Sequence, residues 1–113
     1  MATSKKELFT KELQECSDIF KALGHPARLT ILKYLADSKG CITGELSDEL
    51  PLSRSTVNQH LAELSDLGII ISHKEGTKTY YCLNDKKIKK FSKISKGFWK
   101  SVKLQDECEC KKK

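Results

Sequence analysis

Nowhere in the 113 residues does an apolar run approach the roughly 20 needed to cross a bilayer, and Met1 to Glu7 lacks the apolar stretch of a signal peptide. The expectation is a cytoplasmic protein with no membrane partner. In that compartment the five cysteines are thiols, and their odd number also speaks against a disulfide framework. A phosphate-binding glycine loop, paired carboxylates at a plausible site, a zinc-hydrolase motif and Cys-x-x-Cys are all missing, and the chain is too small for a sizeable cleft. These absences exclude the common enzyme classes, so no catalytic residue is assigned and no cofactor is required. Internal repeats and low-complexity linkers are absent too.

The composition, 38% apolar with a net charge of +6, fits one domain (residues 1–113) with a modest core and a surface that attracts polyanions. Charge alone does not choose between nucleic acid and an anionic membrane face.

Apolar periodicity supplies the elements. From Lys5 to Leu23 the residues Phe9, Leu13, Cys16, Phe20 and Leu23 alternate at spacings of four and three, which predicts an amphipathic helix. Gly24 stops it and Pro26 opens a second helix whose predicted buried side is Leu29, Ile31, Leu32 and Leu35. A two-turn helix from Thr43 to Leu50 ends at Pro51. Ser53 then caps a helix with Val57, Leu61, Leu64 and Leu67 inward and Arg54, Ser55, Asn58 and Gln59 outward, ending at Gly68. Two β-prone runs, Ile69 to Ile71 and Thr79 to Leu83, flank a polar turn and predict a hairpin. Asn84 and Asp85 cap a last helix with the stripe Ile88, Phe91, Ile94, Phe98 and Val102 among many lysines, and residues 105–113 read as a mobile tail.

The predicted class is therefore mainly α with a small β-hairpin, in the order α-α-α-α-β-β-α: a winged helix-turn-helix, with 43–67 as the helix-turn-helix and 69–83 as the wing. Its chemistry points to double-stranded DNA. Arg54 can donate twice to guanine, Asn58 or Gln59 can pair with adenine, and Ser53, Ser55 and Thr56 suit phosphates at a helix start. His60 reads as a DNA or packing residue, and Lys74 and Lys78 on the wing suit the backbone of a neighbouring groove.

Three separated stretches carry a resemblance: Ala22-Leu23-Gly24-His25-Pro26-Ala27-Arg28-Leu29-Thr30-Ile31-Leu32, Leu52-Ser53-Arg54-Ser55-Thr56-Val57-Asn58-Gln59-His60-Leu61, and Leu67-Gly68-Ile69-Ile70. Over residues 8 to 104 the chain resembles the arsenic-resistance-repressor (ArsR) family of bacterial regulators. The resemblance implies a homodimer joined through residues 5–23 and 85–104, an inverted-repeat operator, and repression until an inducer lowers DNA affinity. The apolar stripes of those two helices agree, since so small a domain has no second layer to cover both.

Family members often bind arsenic or a metal through a cysteine pair just before the third helix, where this chain reads Ile42-Thr43-Gly44 with only Cys41 nearby. Others hold zinc through Asp and His on the last helix, and residues 86–104 contain neither. What remains is Cys108 and Cys110, soft ligands for arsenite or another thiophilic ion if Cys41 or a partner-chain thiol completes the set. The alternatives are thiol oxidation or no sensing role at all. Cys16 and Cys82 read as packing residues, and His25, His60 and His73 are too scattered for a metal site. A competing function is a membrane-surface protein using Lys86 to Lys103 with Phe91, Phe98 and Trp99 as anchors, which leaves the 53–60 helix unexplained.

Overall fold

The computed structural model describes residues 8–38 and 40–104. Its elements in chain order are α1 (Lys11–Leu23), α2 (Pro26–Asp37), β1 (Cys41–Ile42), α3 (Thr43–Glu49), α4 (Arg54–Asp66), β2 (Ile70–Glu75), β3 (Lys78–Leu83) and α5 (Asp85–Ser101). This is the winged helix-turn-helix order read from the sequence, with one strand added. The tail at 105–113 lies outside the described residues.

Local chemistry explains the boundaries. The predicted start of the first helix at Lys5 is replaced by Lys11, because the Thr10 hydroxyl accepts the Leu13 N–H and caps the helix there. His25 caps α2 through Nδ1, which accepts the Ala27 N–H at 3.0 Å, with Pro26 in the first turn. Gly68, at φ 78°, lets the chain leave α4 in a left-handed turn that no β-carbon favours. In the wing, Gly76 (φ 63°) and Thr77 join β2 to β3 by the tight two-residue connection that matches strand twist.

The core joins α2, β1, α3, α4 and the start of β2: Ile31, Leu35, Cys41, Leu46, Leu50, Val57, Leu61, Leu64, Ile69 and Ile70 are all buried. Asn84 fastens α5 beneath it, donating from its side chain to the Gly68 carbonyl at 2.9 Å while its Oδ1 accepts the Lys87 N–H. The α5 helix then packs along α1.

Three further sequence expectations change. The sheet has three strands in the order β1-β3-β2, because Cys41 and Ile42 pair antiparallel with Tyr81 and Tyr80. Leu29 is 50% exposed, since the inward arc of α2 is already filled by Ala27, Ile31 and Leu35. On α1 the buried residues are Cys16, Ile19 and Ala22, whereas Phe9, Leu13 and Phe20 of the predicted stripe are exposed, Leu13 by 45% and Phe20 by 39%. The apolar surface of α1 therefore has two parts, one facing this domain and one facing outward.

Candidate nucleic-acid interface

Between α3 and α4 the chain turns through Leu50 to Ser53, with Leu50 buried and Leu52 half-buried, so the two helices are clamped at a fixed angle by their shared core. Burying Val57, Leu61 and Leu64 at helical spacing forces the opposite face outward. That face presents Arg54, Ser55, Asn58 and Gln59, all exposed, as the sequence predicts. Arg54, Asn58 and Gln59 have no hydrogen-bonding or ion-pair partner among the described residues, so their donors and acceptors are available to a ligand.

At the start of α4 three hydroxyls meet. Ser53 Oγ accepts the Thr56 N–H at 3.3 Å and lies 3.1 Å from Ser55 Oγ and 2.9 Å from Thr56 Oγ1. Ser53 and Ser55 are exposed, and together with the free N–H groups of the first turn they form an anion-accepting helix end; Thr56 is half-buried beneath them. Arg54 leans across α3. A β-carbon built on Gly44 would lie 2.8 Å from its Nη2, and Gly44 has no positive φ that would itself demand glycine.

His60 does not join this face. It is half-buried, its Nδ1 accepts from Arg28 Nε at 3.1 Å, and its ring centroid lies 4.5 Å from that of His25, so of the two roles read from the sequence the geometry favours packing. Burial, then His25, then Arg28 lower its pKa. Arg28 also donates from Nη1 to the Ala22 carbonyl at 2.7 Å and pairs through Nη2 with Glu63. One guanidinium thus ties the end of α1 and the start of α2 to the inner flank of α4. Sequence reasoning passed over Arg28 as part of a motif; its partners, 32 and 35 positions away, leave no local signal.

The wing lysines are exposed, but the register opposes Lys74 to Thr79 and Glu75 to Lys78, which puts Lys74 and Lys78 on opposite faces of the hairpin. Their charges therefore do not combine on one face of the hairpin. On the Lys78 face His73 stacks on Tyr80 with centroids 5.5 Å apart.

Cys41 is 2% exposed in the core, and burial followed by Glu45 pushes its thiol up to about 11. It packs, and is poorly suited to thiolate ligation. Cys16 is likewise buried and Cys82 half-buried, both as read from the sequence. Cys108 and Cys110 lie outside the described residues. Among the described residues no group of three His, Cys, Asp or Glu is placed to hold a metal ion, and no helix is long and apolar enough to cross a membrane.

Comparison with known proteins agrees with this architecture. The family described as bacterial regulatory protein, arsR family, matches residues 25–72. An HTH-type transcriptional regulator of Methanocaldococcus jannaschii is 36% identical over 84 residues, covering 74% of this chain and 94% of the relative. The transcriptional activator HlyU of Vibrio cholerae is 38% identical over 71 residues, covering 63% of this chain and 65% of the relative. Its solved structure superposes with a TM-score of 0.62, covering 75% of this chain and 90% of that one. A solved "possible transcriptional regulator for arsenical resistance" gives a TM-score of 0.68 at 26% identity, over 73% of this chain and 84% of that one. With three motifs in order on a winged helix-turn-helix and these relatives, the chain belongs to the arsR family of DNA-binding transcriptional regulators.

Proposed function

We propose that this regulator is a cytoplasmic homodimer that sits on an inverted-repeat operator, reads its bases with Arg54, Asn58 and Gln59, and represses until an inducer releases it. It carries out no catalysis. The observation that carries the reading is the exposed row Arg54, Ser55, Asn58 and Gln59, held outward by a buried Val57-Leu61-Leu64 seam, with Arg54, Asn58 and Gln59 unengaged among the described residues. Pairing two such helices doubles the length of DNA read and explains a palindromic site.

The dimer reading rests on the outward apolar half of α1. Leu13 and Phe20 adjoin Phe98 and Trp99 of α5, with the Phe20 ring 5.9 Å from Phe98 and 6.1 Å from Trp99. So much aromatic and aliphatic surface in one place is what a two-fold contact would bury. Repression needs nothing beyond occupying the operator, and it is the mode the family resemblance implies.

For the inducer, Cys108 and Cys110 are proposed as ligands of arsenite or another thiophilic ion, with any third thiol coming from somewhere other than the buried Cys41. Loss of the arsenite response in the variant carrying Cys108→Ser and Cys110→Ser supports this, and an unchanged response moves the inducer site elsewhere.

The reading of bases is tested with Arg54→Ala and Gln59→Ala in operator titrations at fixed salt. Each costs about 1 to 3 kcal/mol and relaxes preference at the base pair it reads. Unchanged operator affinity in both variants refutes the assignment of α4.

A further inference from the structure

The basic charge of this chain is not where the bases are read. Residues 41–83, which span α3, α4 and the wing, hold three basic side chains against six acidic ones, a net charge of −3. Helix α5 holds seven lysines against the single acid Asp85, a net charge of +6 that equals the total for the whole chain. Phosphate neutralisation supplies most of the sequence-independent affinity of a protein for DNA. The helix-turn-helix and wing are poorly equipped to provide it.

The lysines of α5 are also ordered in space. Lys86, Lys89, Lys90, Lys93, Lys96 and Lys100 are exposed and recur at spacings of three and four, and at about 100° per residue they fill one arc of the helix. The opposite arc is Ile88, Phe91, Ile94 and Phe98, half-buried against the rest of the domain. None of the six pairs with an acid among the described residues. Lys87 is the exception on the helix: it is half-buried, with Nζ 5.9 Å from the Phe91 ring centroid. Like charges three and four residues apart disfavour a helix, so folding gains nothing from the stripe.

We infer that the α5 lysine stripe is a second nucleic-acid surface, engaging the phosphate backbone of duplex DNA without regard to sequence while α4 reads the bases. The inference rests on the DNA-binding reading and adds a division of labour to it. Duplex DNA fits because the face offers charge and nothing else. Between the lysines lie Ser92 and Gly97; of the apolar residues that a membrane-surface helix would insert into lipid, Ile88, Phe91, Ile94 and Phe98 are half-buried against the protein, and the exposed Trp99 lies off the lysine arc beside Phe20, on the surface proposed for the dimer contact. The stripe from Lys86 to Lys100 runs about 21 Å at 1.5 Å per residue, enough to meet several phosphates of one backbone.

The test neutralises three lysines on α5 (Lys89→Gln, Lys93→Gln and Lys96→Gln) and, as a matched control, three exposed lysines elsewhere (Lys11→Gln, Lys21→Gln and Lys33→Gln). Affinities for operator and for random duplex are measured from about 50 to 200 mM salt, the range over which phosphate contacts are lost most visibly. The α5 variant is expected to flatten the log–log salt slope by about 0.9 for each contact removed, two to three in all. It should weaken random-duplex binding at least about tenfold at the low-salt end and leave the operator-to-random ratio unchanged or raised. The control should leave the slope within about one unit of wild type.

An unchanged slope in the α5 variant overturns the inference, and so does an equal change in both variants, which would make net charge the cause. Binding of wild type to vesicles of phosphatidylcholine and phosphatidylserine at physiological salt, lost in the α5 variant while DNA binding is kept, overturns it in favour of a lipid surface. Tighter loss of single-stranded RNA than of duplex DNA overturns it in favour of RNA. If wild type itself prefers no duplex, the base-reading proposal has failed instead, and the salt slopes still report on the stripe.

Discussion

Replacing Arg28 by alanine should destabilise the domain by about 3 kcal/mol, although the residue touches none of the bases to be read. Its side chain is largely buried and makes three contacts: to the Ala22 carbonyl at 2.7 Å, to His60 Nδ1 at 3.1 Å, and to Glu63. Hydrogen bonds from a charged donor contribute about 1.5 kcal/mol or more each, and the first two leave a partly buried acceptor unpaired when the guanidinium is removed. The Glu63 side chain is 43% exposed, so its share is screened to about 0.5 kcal/mol or less.

At about 4 to 8 °C per kcal/mol for a domain of this size, the melting temperature should fall by roughly 15 °C. Urea unfolding by circular dichroism, in reductant and at one protein concentration so that any oligomer contributes equally, measures the loss. Arg28→Lys should recover little, because one ammonium cannot reach three acceptors that a planar fork spans. The double variant Arg28→Ala with His60→Ala should show a coupling of about 1 kcal/mol or more. A loss under about 1 kcal/mol for Arg28→Ala, or strict additivity with His60, would refute the claim that this network ties α1 and α2 to α4.

Three other outcomes follow from the geometry. Because burial, His25 and Arg28 hold His60 below its ordinary 6.5, the folded state resists its protonation; stability should be full above about pH 6.5 and decline as pH falls from there through the lower folded value. His60→Gln should flatten that decline in urea melts, and an identical pH profile would contradict it. Gly44→Ala should leave the melting temperature unchanged or raised, since alanine is the better helix former, yet weaken operator binding several-fold by displacing the Arg54 guanidinium. Equal loss of affinity in an Arg54→Ala background would contradict the idea that it acts through Arg54. If the proposed homodimer forms through α1, Leu13→Glu with Phe20→Glu should give a folded monomer in sedimentation and reduce operator affinity at least about a hundredfold, whereas a dimer that survives both changes would place the interface elsewhere.

What the sequence revealed was what local patterning encodes. The core seam Val57, Leu61 and Leu64 is a short-range repeat, so the outward face of α4 followed from it directly, and caps at Ser53 and Asn84 were legible because their partners lie three residues away. Misreadings came where the answer depends on distant partners. Leu29 belongs by type with Ile31 and Leu32, but only the packed domain shows that its arc of α2 faces solvent. Strand β1 is two residues long and exists only because Tyr80 and Tyr81 are there to pair with it. Phe9, Leu13 and Phe20 have helical spacing with Cys16, yet burial divides them between an inner and an outer face. For His60 the sequence left a DNA role and a packing role open, and only its bond to Arg28, 32 positions away, favours packing.

The central claim, that α4 reads a specific operator, is met most directly by titrating the reduced wild-type protein against DNA from its own upstream region and against random duplex, by fluorescence anisotropy at one salt concentration. The account predicts operator binding about a thousandfold or more tighter than random. Equal affinity for both, persisting for every duplex recovered by selection from random sequences, would contradict it.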